Sequence, residues 1–278
     1  MSISYKNIKK SPAIFNRLFG LTLRQFDLMI PKIKEAWSLH LEDSYKKEGR
    51  SYKLSIEDMT LMLLLYYRTY TTMLFVGFLF DIDKSRVCRN IQSLEPILAK
   101  IMALPKKKQL SKEEVESLII DATEQRIERP KRRQKAYYSG KKKAHTLKTE
   151  IRTTCGGKIV GVSKPHPGSV HDFNILKQGK PIFEESRVYV DSGYQGLSKI
   201  HQASEYPYKK TKGKELTGEE KEYNHTLSRI RVKVENVLRS LKIFRILADK
   251  YRNKRKRYGI KFRIIAGIVN MKYEFTCG

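Results

Sequence analysis

Acid is what this chain lacks most. Asp and Glu together number 29 of 278 residues, against 57 Lys plus Arg, for a formal net charge of +28. A field of that size opposes compaction unless a polyanion neutralises it, so nucleic acid is the expected partner. An anionic membrane surface would need an amphipathic anchor, and the sequence offers none. Cysteine is scarce too. Cys88, Cys155 and Cys277 stand singly, which excludes a disulfide framework and any zinc-ligand spacing and fits a reducing compartment. No run of 18 apolar residues occurs, so no membrane span is expected. The first residues, MSISYKNIKKSPAIF, lack the apolar core of a signal peptide. There is no phosphate-cradling P-loop, and GGKIVG reads as a hairpin turn rather than a dinucleotide fingerprint.

What is present is globular: 40% hydrophobic and 10% aromatic, long enough for one large or two modest domains. Residues 1–110 read as helical. Thr22 and Gln25 have capping-box spacing ahead of Phe26, Met29, Ile30, Ile33 and Trp37, with Pro31 a kink or a new start. Residues 42–53 read as a loop, and Ser55 caps an apolar helix. TTMLFVGFLF follows, then a helix starting near Asp83 or Ser85 with Val87, Ile91 and Leu94 on one face. This order suits a helix-turn-helix whose groove-facing side is Lys84, Ser85, Arg86, Arg89 and Asn90, although any small helical bundle also has a polar face.

ALPKKKQLSKEE reads as a linker, and residues 115–278 then change to an α/β (α+β) pattern. SLIID and RVYVD are strand candidates, and alternating runs either side of Gly156-Gly157 form a hairpin. GSVHDFNILKQ starts a helix. One long helix is predicted from Glu219 to about Ala248, and a last buried one after it. Two stretches carry no acid: residues 130–143 hold seven Lys or Arg, among them Lys131, Arg132, Arg133, Lys141, Lys142 and Lys143, and residues 250–263 hold eight. Basic groups neutralise phosphates, and Tyr137, Tyr138, Tyr251 and Tyr258 among them are candidates to stack on unpaired bases.

Against this background three acids are conspicuous. Asp121 and Asp191 each end a strand candidate, and Glu235 is the only acid between Glu222 and Asp249, an interval with six Lys or Arg. Hard divalent cations take carboxylate oxygens, and Mg²⁺ shares two or three acids with substrate phosphates. At 100° per residue Asn224, Ser228, Arg231, Glu235 and Lys242 fall on one stripe, beside an apolar arc through Val234, Val237 and Leu241. That stripe reads equally as an exposed face with an Arg231–Glu235 pair. A strand-end Asp by itself is more often a turn residue. His171-Asp172 reads either as support around metals or, through Asp172, as a helix cap.

Taken together and in order, the blocks IIDATEQ, YYSGKKKAHTLKTEI, GSVHD, VYVDSGYQG and NHTLSRIRVKVENVLRSLKIF resemble those of bacterial insertion-sequence transposases of the DDE superfamily, in the insertion-sequence-five-like group. The resemblance implies a ribonuclease H-like catalytic domain behind an all-α helix-turn-helix domain. It implies a triad of Asp121, Asp191 and Glu235, two Mg²⁺ ions per site with Mn²⁺ as the alternative, and duplex DNA as terminal inverted repeat and target. It also implies a homodimer or larger assembly on DNA and a bacterial cytoplasmic, nucleoid-associated location. Related transposases carry Tyr-x2-Arg-x3-Glu-x6-Lys around the Glu; Arg231, Glu235 and Lys242 keep that spacing, and Ser228 stands in the Tyr position.

Overall fold

The computed structural model describes residues 3–43, 52–210 and 215–273. Most of the expected loop at 42–53, and Cys277, lie outside the described residues. Two compact units emerge, and neither is one continuous stretch. The first comprises Met1–Ala103, Lys242–Asp249 and Ile260–Met271; the second comprises Leu104–Leu241, Lys250–Gly259 and Lys272–Gly278.

The first unit is helical: α1 (Tyr5–Ile8), α2 (Pro12–Phe19), α3 (Leu23–Asp43), α4 (Ile56–Thr69), α5 (Met73–Phe80) and α6 (Lys84–Ile101). Its helix starts are written in local chemistry. Thr22 and Gln25 cap each other reciprocally, at 2.8 and 3.2 Å. The Asp58 N–H donates to Ser55 Oγ at 3.1 Å and the Phe75 N–H to Thr72 Oγ1 at 3.2 Å. Pro31 sits inside α3 without ending it. Residues Met59 to Tyr67 of α4 are all buried, so this helix is the centre of the unit.

Later parts of the chain complete that core. The long helix predicted to reach Ala248 ends at Lys242. Phe244, fully buried, turns in against Gly20, and the Arg68 guanidinium donates to the Ile243 carbonyl that the helix leaves open. Lys261, from the last helix, reaches Glu95 of α6 at 2.7 Å, and the Tyr67 hydroxyl donates to the same oxygen at 2.8 Å. The helical unit thus includes residues 242–249 and 260–271, which carry the buried Phe244, Ile246, Phe262, Ile264, Ile265 and Ile268.

The second unit opens with α7 (Lys112–Glu116), capped by the Ser111–Glu114 box, and continues through β1 (Ser117–Arg126), α8 (Gln134–Tyr137), β2 (Tyr138–Ser139), β3 (Ala144–Thr154), β4 (Ile159–Val162), β5 (His166–Pro167), α9 (Asp172–Gln178), β6 (Arg187–Tyr189) and β7 (Ser204–Glu205). Then come α10 (Gly218–Lys242) and the first residues of α11 (Tyr258–Asn270). The sheet order is β2-β3-β1-β6-β7, with β4 and β5 also on β3. β3 is antiparallel to β1, whereas β6 and β7 run parallel to it. A central strand with hairpins on one side and parallel crossovers on the other is the ribonuclease H-like layout.

Ile120, Leu176, Val188, Val190, Tyr194 and Leu197 form one core cluster of this unit. Tyr194, in the turn that follows Asp191, is 1% exposed and belongs to the core. Among the described residues no helix is long and apolar enough to cross a membrane.

Candidate active site

Asp121 and Asp191 are brought together by strand pairing. Ile119 is the partner of Tyr189 across the parallel β1–β6 pair, and each aspartate lies two residues further on. Side chains alternate along a strand, so both carboxylates project from the same face at the same level. Their local settings match as well. The Ala122 N–H donates to Asp121 Oδ1 at 2.8 Å, and the Ser192 N–H donates to Asp191 Oδ1 at 2.6 Å. Asp191 caps a short 3₁₀ turn over Ser192–Tyr194, so the turn reading and the site reading describe one residue.

Burial, and then the nearby carboxylates Asp191 and Asp172, push the Asp121 carboxyl up to about 6; the Ala122 N–H and the Arg231 guanidinium act in the opposite direction. A carboxylate that binds protons this readily is one whose negative charge is undercompensated. A divalent cation between Asp121 and Asp191 would supply the missing charge, and both donors are the hard oxygens such ions take. Arg231 supplies part of that charge, its Nη1 lying 3.6 Å from Asp191 Oδ1.

α10 contributes Arg231 directly and Glu235 only one turn further along, about 6 Å of axial rise. Glu235 is exposed. Among the described residues no three His, Cys, Asp or Glu side chains are grouped so as to hold a metal, so Glu235 is not gathered with the two aspartates. The apolar arc of α10 is buried at Leu227, Val234, Val237 and Leu241 as its spacing predicts. Asn224, on the predicted polar stripe, is instead structural: its amide exchanges hydrogen bonds with the backbone of Tyr208 at 2.8 and 3.1 Å. Ser228 is exposed, and Lys242 is the last residue of the helix.

Asp172 does not cap α9. His171 holds the N-cap position without a side-chain cap bond, and Asp172 is the first helical residue. Its Oδ1 lies 3.0 Å from Lys148 Nζ, which also donates to the Val170 carbonyl at 2.9 Å. Lys148 is a residue that the spacing of the sequence does not single out. Only the register of β3, which sets Lys148 opposite Glu124 on β1, places it beside the loop that carries His171-Asp172. Glu150, two residues on, is 2% exposed and accepts from Arg152 Nε at 2.9 Å; burial pushes its carboxyl up. Burial, then Glu150, Asp172 and Asp121, push the Tyr194 phenol far up, so that ring stays neutral.

In the helical unit, α5 and α6 are joined by a three-residue turn in which Asp81 takes a left-handed conformation (φ 51°). Asp83, not Ser85, is the N-cap of α6, without a side-chain cap bond. Lys84, Ser85 and Arg89 are exposed and Arg86 and Asn90 half-buried, whereas Val87 and Ile91 are buried. Gly77 was not singled out by the sequence. A Cβ there would sit 2.4 Å from the Ile82 carbonyl oxygen, so the close crossing of α5 and the turn depends on it.

Of the aromatic residues in the basic stretches, Tyr251 and Tyr258 are each 1% exposed and pack edge to face at 5.0 Å. They are core rings, not base-stacking ones. Lys261, counted in the second basic stretch, is buried against Glu95 and is withdrawn from any phosphate. Lys131, Arg132, Arg133, Lys141, Lys142 and Lys143 are all exposed.

Residues 120–270 match the family described as DDE superfamily endonuclease, and residues 52–103 match the helix-turn-helix of DDE superfamily endonuclease. The chain is 42% identical over 270 residues to a probable transposase for insertion sequence element IS702 of Microchaete diplosiphon, covering 94% of each. It is 27% identical over 235 residues to a putative transposase for insertion sequence element IS112 of Streptomyces albus G, covering 83% of this chain and 84% of that one. No solved structure matches the chain. Such endonucleases depend on divalent metal, and a helix-turn-helix ahead of the nuclease domain binds DNA. With both regions matched in chain order and the transposase likeness running almost end to end, the chain belongs to the DDE superfamily of endonucleases and is a DDE transposase.

Proposed function

We propose that the protein binds the terminal inverted repeats of its element, cuts DNA strands by Mg²⁺-dependent hydrolysis, and joins the freed 3′-hydroxyl ends to target DNA. The observation that carries this reading is the placement of Asp121 and Asp191, each two residues beyond the paired Ile119 and Tyr189 of adjacent parallel strands, with the proton affinity of Asp121 raised. Asp121, Asp191 and Glu235 would hold the divalent ions. Such ions neutralise phosphate and acidify water when bound.

The chain's own residues do the rest. Arg231 and Lys242 hold phosphates beside the site, and Lys148 fixes Asp172, with His171 next to it, as support around the carboxylates. Lys84, Ser85, Arg86, Arg89 and Asn90 face the groove of the repeat. Glu235, one turn beyond Arg231 on α10, would complete the carboxylate set. Two ends are joined in one reaction, so a homodimer or larger assembly forms on DNA, working in the cytoplasm at the nucleoid.

The test is linear DNA carrying the element's ends, incubated with Mg²⁺ and then with Mn²⁺, scored for cutting and for joining. Asp191→Asn keeps the size of the side chain and removes the ligand charge. A fall in cutting of at least about 100-fold is expected, since changes to groups that merely orient metal ligands already cost 10- to 100-fold. Full cutting by Asp191→Asn would remove Asp191 from the site. Cutting without joining would make the protein a nuclease, and binding without cutting a regulator.

A further inference from the structure

Two basic stretches lie more than a hundred residues apart in sequence, yet the structure joins them. Ile127 and Tyr251 form a parallel bridge; the Tyr251 N–H donates to the Arg126 carbonyl at 2.8 Å and the Glu128 N–H to the Tyr251 carbonyl at 3.3 Å. The Arg255 guanidinium then lies over the Tyr137 ring, 4.4 Å from its centroid. Residues 250–259 are thereby fastened beside α8 within one compact unit.

Charge is concentrated on this seam. Residues 130–143 and 250–259 contain no acid. Glu128, the acid at the junction, is paired with Lys250 at 3.0 Å. On either side of the Tyr137–Arg255 contact, Lys131, Arg132, Arg133, Lys135, Lys254 and Lys256 are exposed. Of the four tyrosines, Tyr251 and Tyr258 are buried and Tyr137 is covered by Arg255, which leaves Tyr138, 44% exposed and edge-on to His145 at 5.8 Å, as the one open ring. A surface that binds unpaired bases offers successive open ring faces, whereas one that tracks a duplex offers mainly cations, and here a single open ring stands against six exposed cations.

We infer that residues 131–135 and 254–256 form a single surface, braced by Tyr137 and Arg255, that grips the phosphate backbone of double-stranded DNA without reading its sequence. It rests on the DNA-processing reading above and extends it. The helix-turn-helix recognises fixed terminal sequence, and this second surface takes the duplex whose sequence is not fixed, the flanking or target DNA.

The experiment uses the full chain, a random-sequence duplex of about 20 base pairs (two helical turns) and its single strand, with affinity measured by fluorescence anisotropy over a salt series. Each phosphate contact adds about 0.9 to the slope of log affinity on log salt. Lys254→Ala with Lys256→Ala is expected to lower the slope by about 2, and Lys131→Ala, Arg132→Ala and Arg133→Ala together by about 3, with wild-type melting in both cases. An unchanged slope in the Lys254/Lys256 variant overturns the inference, and so does tighter binding to the single strand than to the duplex. Cutting of element ends is scored on the same preparations. Normal cutting with unchanged slopes sinks the surface alone, and reduced slopes in a protein that never cuts sink the catalytic reading alone.

Discussion

Asp121 and Asp191 each stand two residues past the paired residues Ile119 and Tyr189 of two adjacent parallel strands, and each accepts the N–H of the residue that follows it. That arrangement fixes the spacing of two like charges through backbone pairing alone. It also makes their repulsion part of the folded state.

The first prediction is one of stability. Asp121 titrates at 3.8 in an unfolded chain and at about 6 when folded. A raised carboxyl favours the folded state while protonated; stability falls as pH rises from 3.8 through about 6, and above that the folded chain bears the whole penalty. The shift corresponds to about 3 kcal/mol. Without divalent metal, Asp121→Asn should therefore be more stable than wild type at pH 8 by up to about that amount, and equal to it near pH 3. Chemical denaturation at the two pH values decides. No gain at pH 8 means the carboxylate is not penalised.

Arg231 and Asp172 pull Asp121 in opposite directions. Removing Arg231 as Arg231→Met should move the midpoint of Asp121 above about 6, and Asp172→Asn should move it below. The carboxyl carbon resonance of Asp121 in metal-free protein reports the midpoint directly. Shifts of the same sign in both variants would show that charge is not what tunes the residue.

The ion pair of Glu95 and Lys261, 0% and 4% exposed at their side chains, ties α6 to the last helix. Removing one partner leaves an uncompensated buried charge, which typically costs about 3–5 kcal/mol. Glu95→Ala or Lys261→Ala should lose that much in urea unfolding, and Glu95→Leu with Lys261→Met should recover most of it. If both single variants match wild type, the pair does not hold the two helices.

Gly77→Ala forces a methyl group to within 2.4 Å of the Ile82 carbonyl oxygen. Overpacking of this kind costs about 1–3 kcal/mol and shifts the backbone. Binding to the terminal repeat should weaken by at least about tenfold, a little over 1 kcal/mol, while any metal-dependent nicking of nonspecific DNA persists. Unaltered repeat binding would mean that the α5–α6 crossing tolerates the change.

Much of the architecture is local and was legible in the chain. The caps at Thr22, Ser55 and Ser111 work through atoms three residues apart, so spacing alone predicts them. The hairpin at Gly156-Gly157 and the buried arc of α10 follow from periods of 2 and 3.6 residues, but the strand expected to end at Asp121 runs on to Arg126 because residues 121–126 pair with β3. The surplus of base over acid announced a polyanionic partner because charge sums over the chain whatever the fold.

What the sequence could not settle depended on contacts between distant segments. Composition marked residues 250–263 as one basic run, but packing divides it: Lys261 enters a buried pair, Tyr251 and Tyr258 become core, and Lys254 and Lys256 stay outside. Spacing put Arg231 and Glu235 on one stripe, and only the tertiary structure set Arg231 against Asp191 while leaving Glu235 exposed. It likewise brought Asp172 and Lys148 to the site, through the register of β3. Secondary structure and net charge are sums of short-range preferences, and the sequence determines them by itself. Which charges meet, and which are stripped of water, is decided only when strands and helices far apart in the chain are packed together.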